Sequence, residues 1–299
     1  MSVEIRHLRA FAALAEELHF GRAAQRIFLT QPALSQAIRQ LEASIGGLLV
    51  ERTTRSVKLT ANGTAFLADA RTVLAAYDEA LARAAGAARQ EQGVLRVGYQ
   101  IGAALEIAPV VLRAFGARFP SVTVELREFD FGEPFAGLDA GVVDVAFVRL
   151  PLDDRRLTYE FLEQEAVFAG LSPQHPLAQR ASIGIAEILD EPIVAAPRSS
   201  GPYRDYWLAS EYRGAIPPTI VLEAANFDAE LQAVAVGKAI TITSAAATKY
   251  YARPGVVFVP IHDMPPVDVA LAWLTTSASP LIANLVQVTR SILTGRVPK

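Results

Sequence analysis

The sequence predicts an α/β protein in three parts: a small helical head over residues 1–60, a long linker helix over 61–92 and a two-lobed α/β body over 93–299. Three observations predict it. Apolar residues recur at intervals of three and four through the head. The same spacing runs without a proline from 61 to 91, and from Val94 onward short apolar strands alternate with helical segments.

Composition sets the outer bounds. At 299 residues, 52% hydrophobic and 20% charged, the chain has the make-up of a folded protein of two or three domains. It has no cysteine, which removes disulfides, thiolate nucleophiles and cysteine-ligated zinc. No apolar run reads as a membrane span or a secretory signal, so the expected location is cytoplasmic, with no membrane partner. The net charge of −3 hides an uneven distribution: residues 1–60 hold eight Lys/Arg against five Asp/Glu, leaving 20 against 26 in the rest. A basic head on an acidic body places attraction for phosphate in one small module.

In the head, Ile5, Leu8, Ala12, Ala15 and Leu18 form the apolar stripe of a helix over 4–18, which Phe20 and Gly21 interrupt. A second helix is expected over 22–28, with Ala23, Ala24 and Ile27 inward. Thr30 is a good N-cap and Pro32 suits the first turn of a third helix. There Leu34, Ile38, Leu41 and Ile45 share one face, leaving Pro32, Ser35, Gln36 and Arg39 on the other. Two short helices and a tight turn, the second helix with a polar outward face, make a helix-turn-helix; residues 50–60, around Thr53 and Arg55, read as a basic hairpin, or wing.

Behind the head, Leu67, Ala70, Leu74, Tyr77, Leu81, Ala84 and Ala88 alternate by three and four as a heptad seam. A seam this long predicts pairing with a second copy through the linker helix. In the body, strands are expected at 95–99, 122–128 and 144–149 with helices at 104–119 and 133–140, forming one β-α-β-α-β unit. Further strands at 167–172, 193–196, 220–223 and 239–243 belong to a second unit. A strand at 267–275 and a helix at 280–294 return to the first lobe. Lobe 1 is then about 93–165 with 267–299, lobe 2 about 166–266, with a cleft between them.

These residues resemble the LysR-type transcriptional regulators over essentially the full length. The specific part is Phe11, Phe20, Ala23 and Ala24, then Thr30-Gln31-Pro32-Ala33-Leu34-Ser35, Ile38, Leu41-Glu42, Gly46, Leu49, Arg52 and Leu59-Thr60-Ala61-Asn62-Gly63. The rear matches more loosely, through residues 95–99, Phe119-Pro120, Leu138 with Gly141 and Asp144, Arg149-Leu150-Pro151 and His175-Pro176-Leu177. The resemblance implies a winged helix-turn-helix, a linker helix and a two-lobed effector domain built like a periplasmic binding protein. It also implies double-stranded DNA and a small-molecule effector as partners, and association of homodimers into tetramers.

For DNA, the exposed-face reading and the resemblance select Gln31, Pro32, Ser35, Gln36 and Arg39, joined by Thr53 and Arg55 from the wing. Gln and Arg suit base edges, whereas Thr30 and Ser35 suit phosphates. For the effector, two stretches precede helices at the cleft and offer backbone N–H groups to an anion: Gln100, Ile101, Gly102 and Ala103, and the segment Ser199, Ser200, Gly201 and Pro202. Arg149, ending a strand, either binds a ligand carboxylate or pairs with a nearby one. The resemblance places Phe131, Phe227 and Thr243 at the pocket, with core packing as the alternative for the two rings. Together these suggest a small organic acid, aromatic or otherwise apolar. The chain departs from the family where Gln100–Ala103 lacks the usual small hydroxyl residue, and where Val236-Gly237-Lys238-Ala239 lacks a second glycine.

The four histidines, His7, His19, His175 and His262, are dispersed, and no nucleophile elbow, phosphate loop or metal motif appears. The expected protein is therefore no enzyme, with no cofactor and no metal. A solute-binding protein, a ligand-independent regulator and an enzyme carrying a DNA-binding head stand as alternatives.

Overall fold

The computed structural model describes residues 3–52, 57–91, 93–152 and 154–295. The chain divides into two compact units, residues 1–81 and 82–299.

In the first unit, α1 (Ile5–Glu17) buries Leu8, Ala10, Phe11, Ala13 and Leu14. The next helix, α2 (Phe20–Arg26), begins two residues before the expected start because the His19 imidazole caps it, Nδ1 accepting from Gly21 N at 3.1 Å and Arg22 N at 3.2 Å. Phe20 and Gly21 thus open the helix. Thr30 caps α3 (Gln31–Ile45), its hydroxyl accepting from Ala33 N, and Gly46 ends that helix at φ 77°. Leu34, Ile38 and Leu41 complete the core.

Two short antiparallel strands, β1 (Val50–Arg52) and β2 (Val57–Leu59), form the base of the wing. Its tip, with Thr53 and Arg55, lies outside the described residues. Glu42 is buried in α3, and its Oε1 accepts from Leu49 N at 3.0 Å and Val50 N at 3.2 Å, holding the start of β1. The long helix α4 (Ala61–Glu91) follows. Leu67, Ala70 and Leu74 of the seam pack into the head core, whereas Val73, Tyr77 and Leu81 are exposed. The side chains of Ala84 and Ala88 lie outside the described residues.

In the second unit, lobe 1 is a five-stranded sheet in the order β4-β3-β5-β12-β6. Its strands are β3 (Val94–Gln100), β4 (Thr123–Phe129), β5 (Val145–Arg149), β6 (Leu157–Glu165) and β12 (Val267–Leu274). Helices α5 (Ile107–Arg118) and α9 (Pro280–Leu293) supply Val111, Phe115, Leu285 and Val286 to its core. Strands β3, β4 and β5 are parallel, as expected, but β12 runs antiparallel to both neighbours. Residues 133–140 form successive turns and no helix: Ala136 and Gly137 both have positive φ, 47° and 80°, which a right-handed helix excludes. Residues 101–106 likewise form turns, so the helix expected from 104 begins at Ile107.

Lobe 2 holds an antiparallel sheet in the order β10-β7-β11, from β7 (Val167–Leu171), β10 (Thr241–Ser244) and β11 (Val257–Pro260). Beside it run the parallel strands β8 (Ile193–Ala195) and β9 (Ile220–Glu223), with a bridge from Ile193 to Ile240. Three helices complete it: α6 (Pro202–Trp207), α7 (Phe227–Ala235) and α8 (Ala245–Tyr250). The chain crosses between lobes after Glu165 and again before Val267.

Gly63, in the first turn of α4, sits where an added Cβ would strike the backbone of Leu49. Backbone cannot yield as a flexible side chain can. Gly63→Ala is expected to destabilise the head by about 1–3 kcal/mol in chemical denaturation, leaving the body's transition in place.

Candidate functional site

On the head, the sequence-selected face is assembled as a surface. Thr30, Gln31, Pro32, Gln36 and Arg39 are exposed and Ser35 is half-buried; Pro32, Gln36 and Arg39 lie on the side of α3 away from Leu34, Ile38 and Leu41, and Thr30 and Gln31 at its N-terminal end. Other arginines of the unit are ion-paired: Arg22 and Arg26 with Glu17, Arg26 also with Glu16, Arg9 with Asp78.

In the body, a cavity lies between the lobes. Lobe 1 contributes Phe131, just beyond β4, and Arg149, the last residue of β5; lobe 2 contributes Tyr203, Trp207, Phe227, Glu230 and the β10 residues Thr241 to Ser244. Its free interior is about 20 Å³, room for a water or two. Phe131 meets Phe227 edge-on at 4.9 Å between centroids, and Phe227 stacks on Tyr251 at 4.3 Å.

The mouth is held by polar contacts between lobes. Ser200 Oγ donates to the Phe131 carbonyl at 2.7 Å, Ser199 Oγ donates to the Gly132 carbonyl at 3.0 Å, and Phe131 N donates to the Ala225 carbonyl at 2.8 Å. The segment expected to offer backbone N–H groups to a ligand thus also bonds the opposite lobe through its two serine hydroxyls. Gly201 takes φ 53° to start α6, and Pro202, its first residue, lines a separate groove.

Arg149 is 1% exposed and paired with Glu165, so the carboxylate-pairing alternative is the one displayed. Nε donates to Glu165 Oε2 at 3.0 Å, Nη1 to the Ile101 carbonyl at 3.1 Å, and Nη2 to the Gly102 carbonyl and, at 3.4 Å, to Glu165 Oε1. The Tyr203 hydroxyl also stands within hydrogen-bonding reach. All three guanidinium nitrogens thus donate at least one hydrogen bond. Burial works against the charge of Arg149, but Glu165 and Tyr203 more than restore it, so its pKa is raised. The stretch 100–103 thus serves the arginine: Gln100 Oε1 accepts from Arg149 N at 3.3 Å, and Ala103 N closes the turn onto the Gln100 carbonyl at 2.8 Å.

Four expected effector residues, Phe131, Arg149, Phe227 and Thr243, meet at the cavity. Sequence reasoning missed Glu165, Tyr203, Ser244 and Glu230. Glu230 is 7% exposed; Thr241 Oγ1 donates to its Oε1, while its Oε2 has no hydrogen-bond partner. Burial pushes its carboxyl up to about 7, against the opposing pull of the Thr241 hydrogen bond and Arg149. Burial also pushes the Tyr203 hydroxyl up to about 12. One signal for Glu230 was present: it shares an apolar helical stripe with Phe227, Leu231 and Val234.

A helix-turn-helix head joined to a two-lobed α/β body with an interlobe cavity defines a DNA-binding regulator with a ligand-binding domain. The comparisons with known proteins agree. The family model "Bacterial regulatory helix-turn-helix protein, lysR family" matches residues 5–64, and "LysR substrate binding domain" matches residues 88–293. The chain is 38% identical over 251 residues to the HTH-type transcriptional regulator AlsR of Bacillus subtilis, covering 83% of each chain. Among solved structures it is similar to CbnR, described as a LysR family transcriptional regulator, at 27% identity and TM-score 0.56, covering 97% of this chain and 99% of that one. It is also similar to full-length CbnR complexed with target DNA, at 27% identity and TM-score 0.51, covering 96% and 98%. This chain belongs to the LysR family of transcriptional regulators, a non-enzymatic family of DNA-binding proteins with an effector-binding domain.

Gly102 offers a check on the cavity wall. It takes φ +78°, and a Cβ there would lie 2.6 Å from Phe227 Cε2 and 3.3 Å from Arg149 Nη2. Gly102→Ala should destabilise the body by about 1–3 kcal/mol in denaturant melts, through backbone strain and displacement of Phe227 together.

Proposed function

We propose that the head binds double-stranded DNA in the major groove through the exposed face of α3, with Gln31, Gln36 and Arg39 reading base edges and Pro32 packing beside them. Thr30 and Ser35 contact phosphate, and Thr53 and Arg55 of the wing add backbone contacts. The observation that carries this reading is the row of exposed polar residues on α3 that has no part in the head's own core. The solved relative bound to target DNA supports it.

Two copies pair through the apolar residues that α4 leaves exposed, Val73, Tyr77 and Leu81, and dimers associate into tetramers. The regulator acts in the cytoplasm, where its DNA lies. The interlobe cavity receives a small effector. An effector larger than a water must part the contacts that Ser199 and Ser200 make across the mouth, and that opening changes the relation of the lobes. Among the described residues no helix is long and apolar enough to cross a membrane.

The test uses a site selected from random DNA by the wild-type protein. At fixed salt, Arg39→Ala should lose about tenfold or more in affinity for that site and much less for unrelated DNA, as expected for a bidentate base contact worth about 1–3 kcal/mol. Equal affinity of variant and wild type for the selected site would remove α3 from base recognition.

A further inference from the structure

The charges around the interlobe cavity do not suit an acid. Arg149 is its one cation, already matched by Glu165, with its donors engaged. A ligand carboxylate would arrive beside the carboxylate of Glu230, which lines the cavity. The one charged group left unmatched among its described lining residues is Glu230, buried, with Oε2 lacking a partner; Trp207 Nε1, a neutral donor in the wall, lacks one too. Ser244 Oγ, on a residue 1% exposed that also lines the cavity, lacks one as well. Both oxygens accept hydrogen bonds, and an ammonium has three donors. Around them stand Phe131, Tyr203 and Phe227, whose ring faces attract a cation. An alcohol would satisfy the acceptors but leave the carboxylate's charge uncompensated in a dry site.

We infer that the ligand of this cavity is a small primary amine, bound as its ammonium, with Glu230 as counter-ion and the aromatic side chains as its walls. The inference rests on the reading of the cavity as the effector site and replaces the organic acid that Arg149 suggested in the sequence.

The groups that face Glu230 decide how binding depends on pH. They are Arg149 from β5, Tyr203 from α6, and Thr241 and Ser244 from β10. Strands β7 and β8, which also pack on α7, carry no titratable side chain, and Asp228 on α7 itself is paired with Arg253. Burial pushes the Glu230 carboxyl up to about 7. An ammonium beside it favours the ionised form, so binding releases a proton at low pH. Amine affinity therefore weakens as pH falls below about 7 and levels off above it.

The experiment is calorimetry on the full-length chain with phenethylamine, phenylacetate and 2-phenylethanol as matched probes, and ethanolamine as a smaller amine. An amine should bind, with affinity about fivefold tighter at pH 7 than at pH 6 and about twofold tighter again at pH 8. Glu230→Gln should lose at least tenfold at pH 8, and the pH dependence with it. Thr241→Val keeps the carboxylate but removes the hydrogen bond that holds its pKa down, so the fivefold step should move to higher pH. This second variant keeps the test valid if Glu230→Gln does not fold, which its melting temperature and DNA binding report. Binding of phenylacetate but neither amine would overturn the inference and leave the effector cavity standing. Amine binding that Glu230→Gln leaves unchanged would also overturn it. Binding of none of the four probes would remove the effector reading along with the amine.

Discussion

The body of this protein is organised around the buried ion pair of Arg149 and Glu165. Arg149 ends a strand buried along its whole length, and Glu165 ends β6 just before the chain crosses into lobe 2. Their 3.0 Å contact therefore ties the centre of the lobe 1 sheet to the crossing point. The same guanidinium collects the carbonyls of Ile101 and Gly102, fixing the turn after β3 that leads towards α5. A charge taken this far out of water is tolerable only when paired and hydrogen-bonded, and this one is paired with Glu165 and donates from all three of its nitrogens.

That constraint shapes the functional reading. With Arg149 neutralised from within, the cavity's chemistry passes to Glu230 and to the hydroxyls near it. The serines across the mouth act as contacts between lobes, so in the proposed function ligand entry and lobe separation are one event. A regulator needs such a link, because an effector shifts an equilibrium only by binding one arrangement better than another. In the head the division of labour is simpler: one face of α3 builds the core and the other is left exposed, the face proposed to meet DNA.

Much of the head was legible in the sequence because its signals are local. Thr30 caps the helix it precedes, Gly46 ends it, and the apolar stripe through Leu34, Ile38 and Leu41 is buried as its spacing requires. The start of α2 was not legible, since histidine is not among the usual caps and His19 does the work through Nδ1. In the body, β5 could be read as a continuous apolar run. Strand β6 was missed because it mixes Glu160, Glu163 and Glu165 with apolar residues at a sheet edge, where charges are ordinary. Residues 133–140 looked helical in apolar spacing, yet their conformation follows Gly137 and Ala136 at positive φ. The partners of Arg149 and the isolation of Glu230 depend on residues brought together only by the fold. No spacing rule in the sequence reports them.

The central claim, that Arg149 is matched by Glu165 and so unavailable to a ligand, is open to direct measurement by a double-mutant cycle. Unfolding free energies of the body would be compared for Arg149→Met, Glu165→Leu and the double variant. Each single change strands one buried charge and should cost about 3–5 kcal/mol, while the double variant should recover most of that loss. If Arg149→Met costs less than about 1 kcal/mol, or the two losses simply add, the pair is not the constraint described and Arg149 is free to meet a ligand.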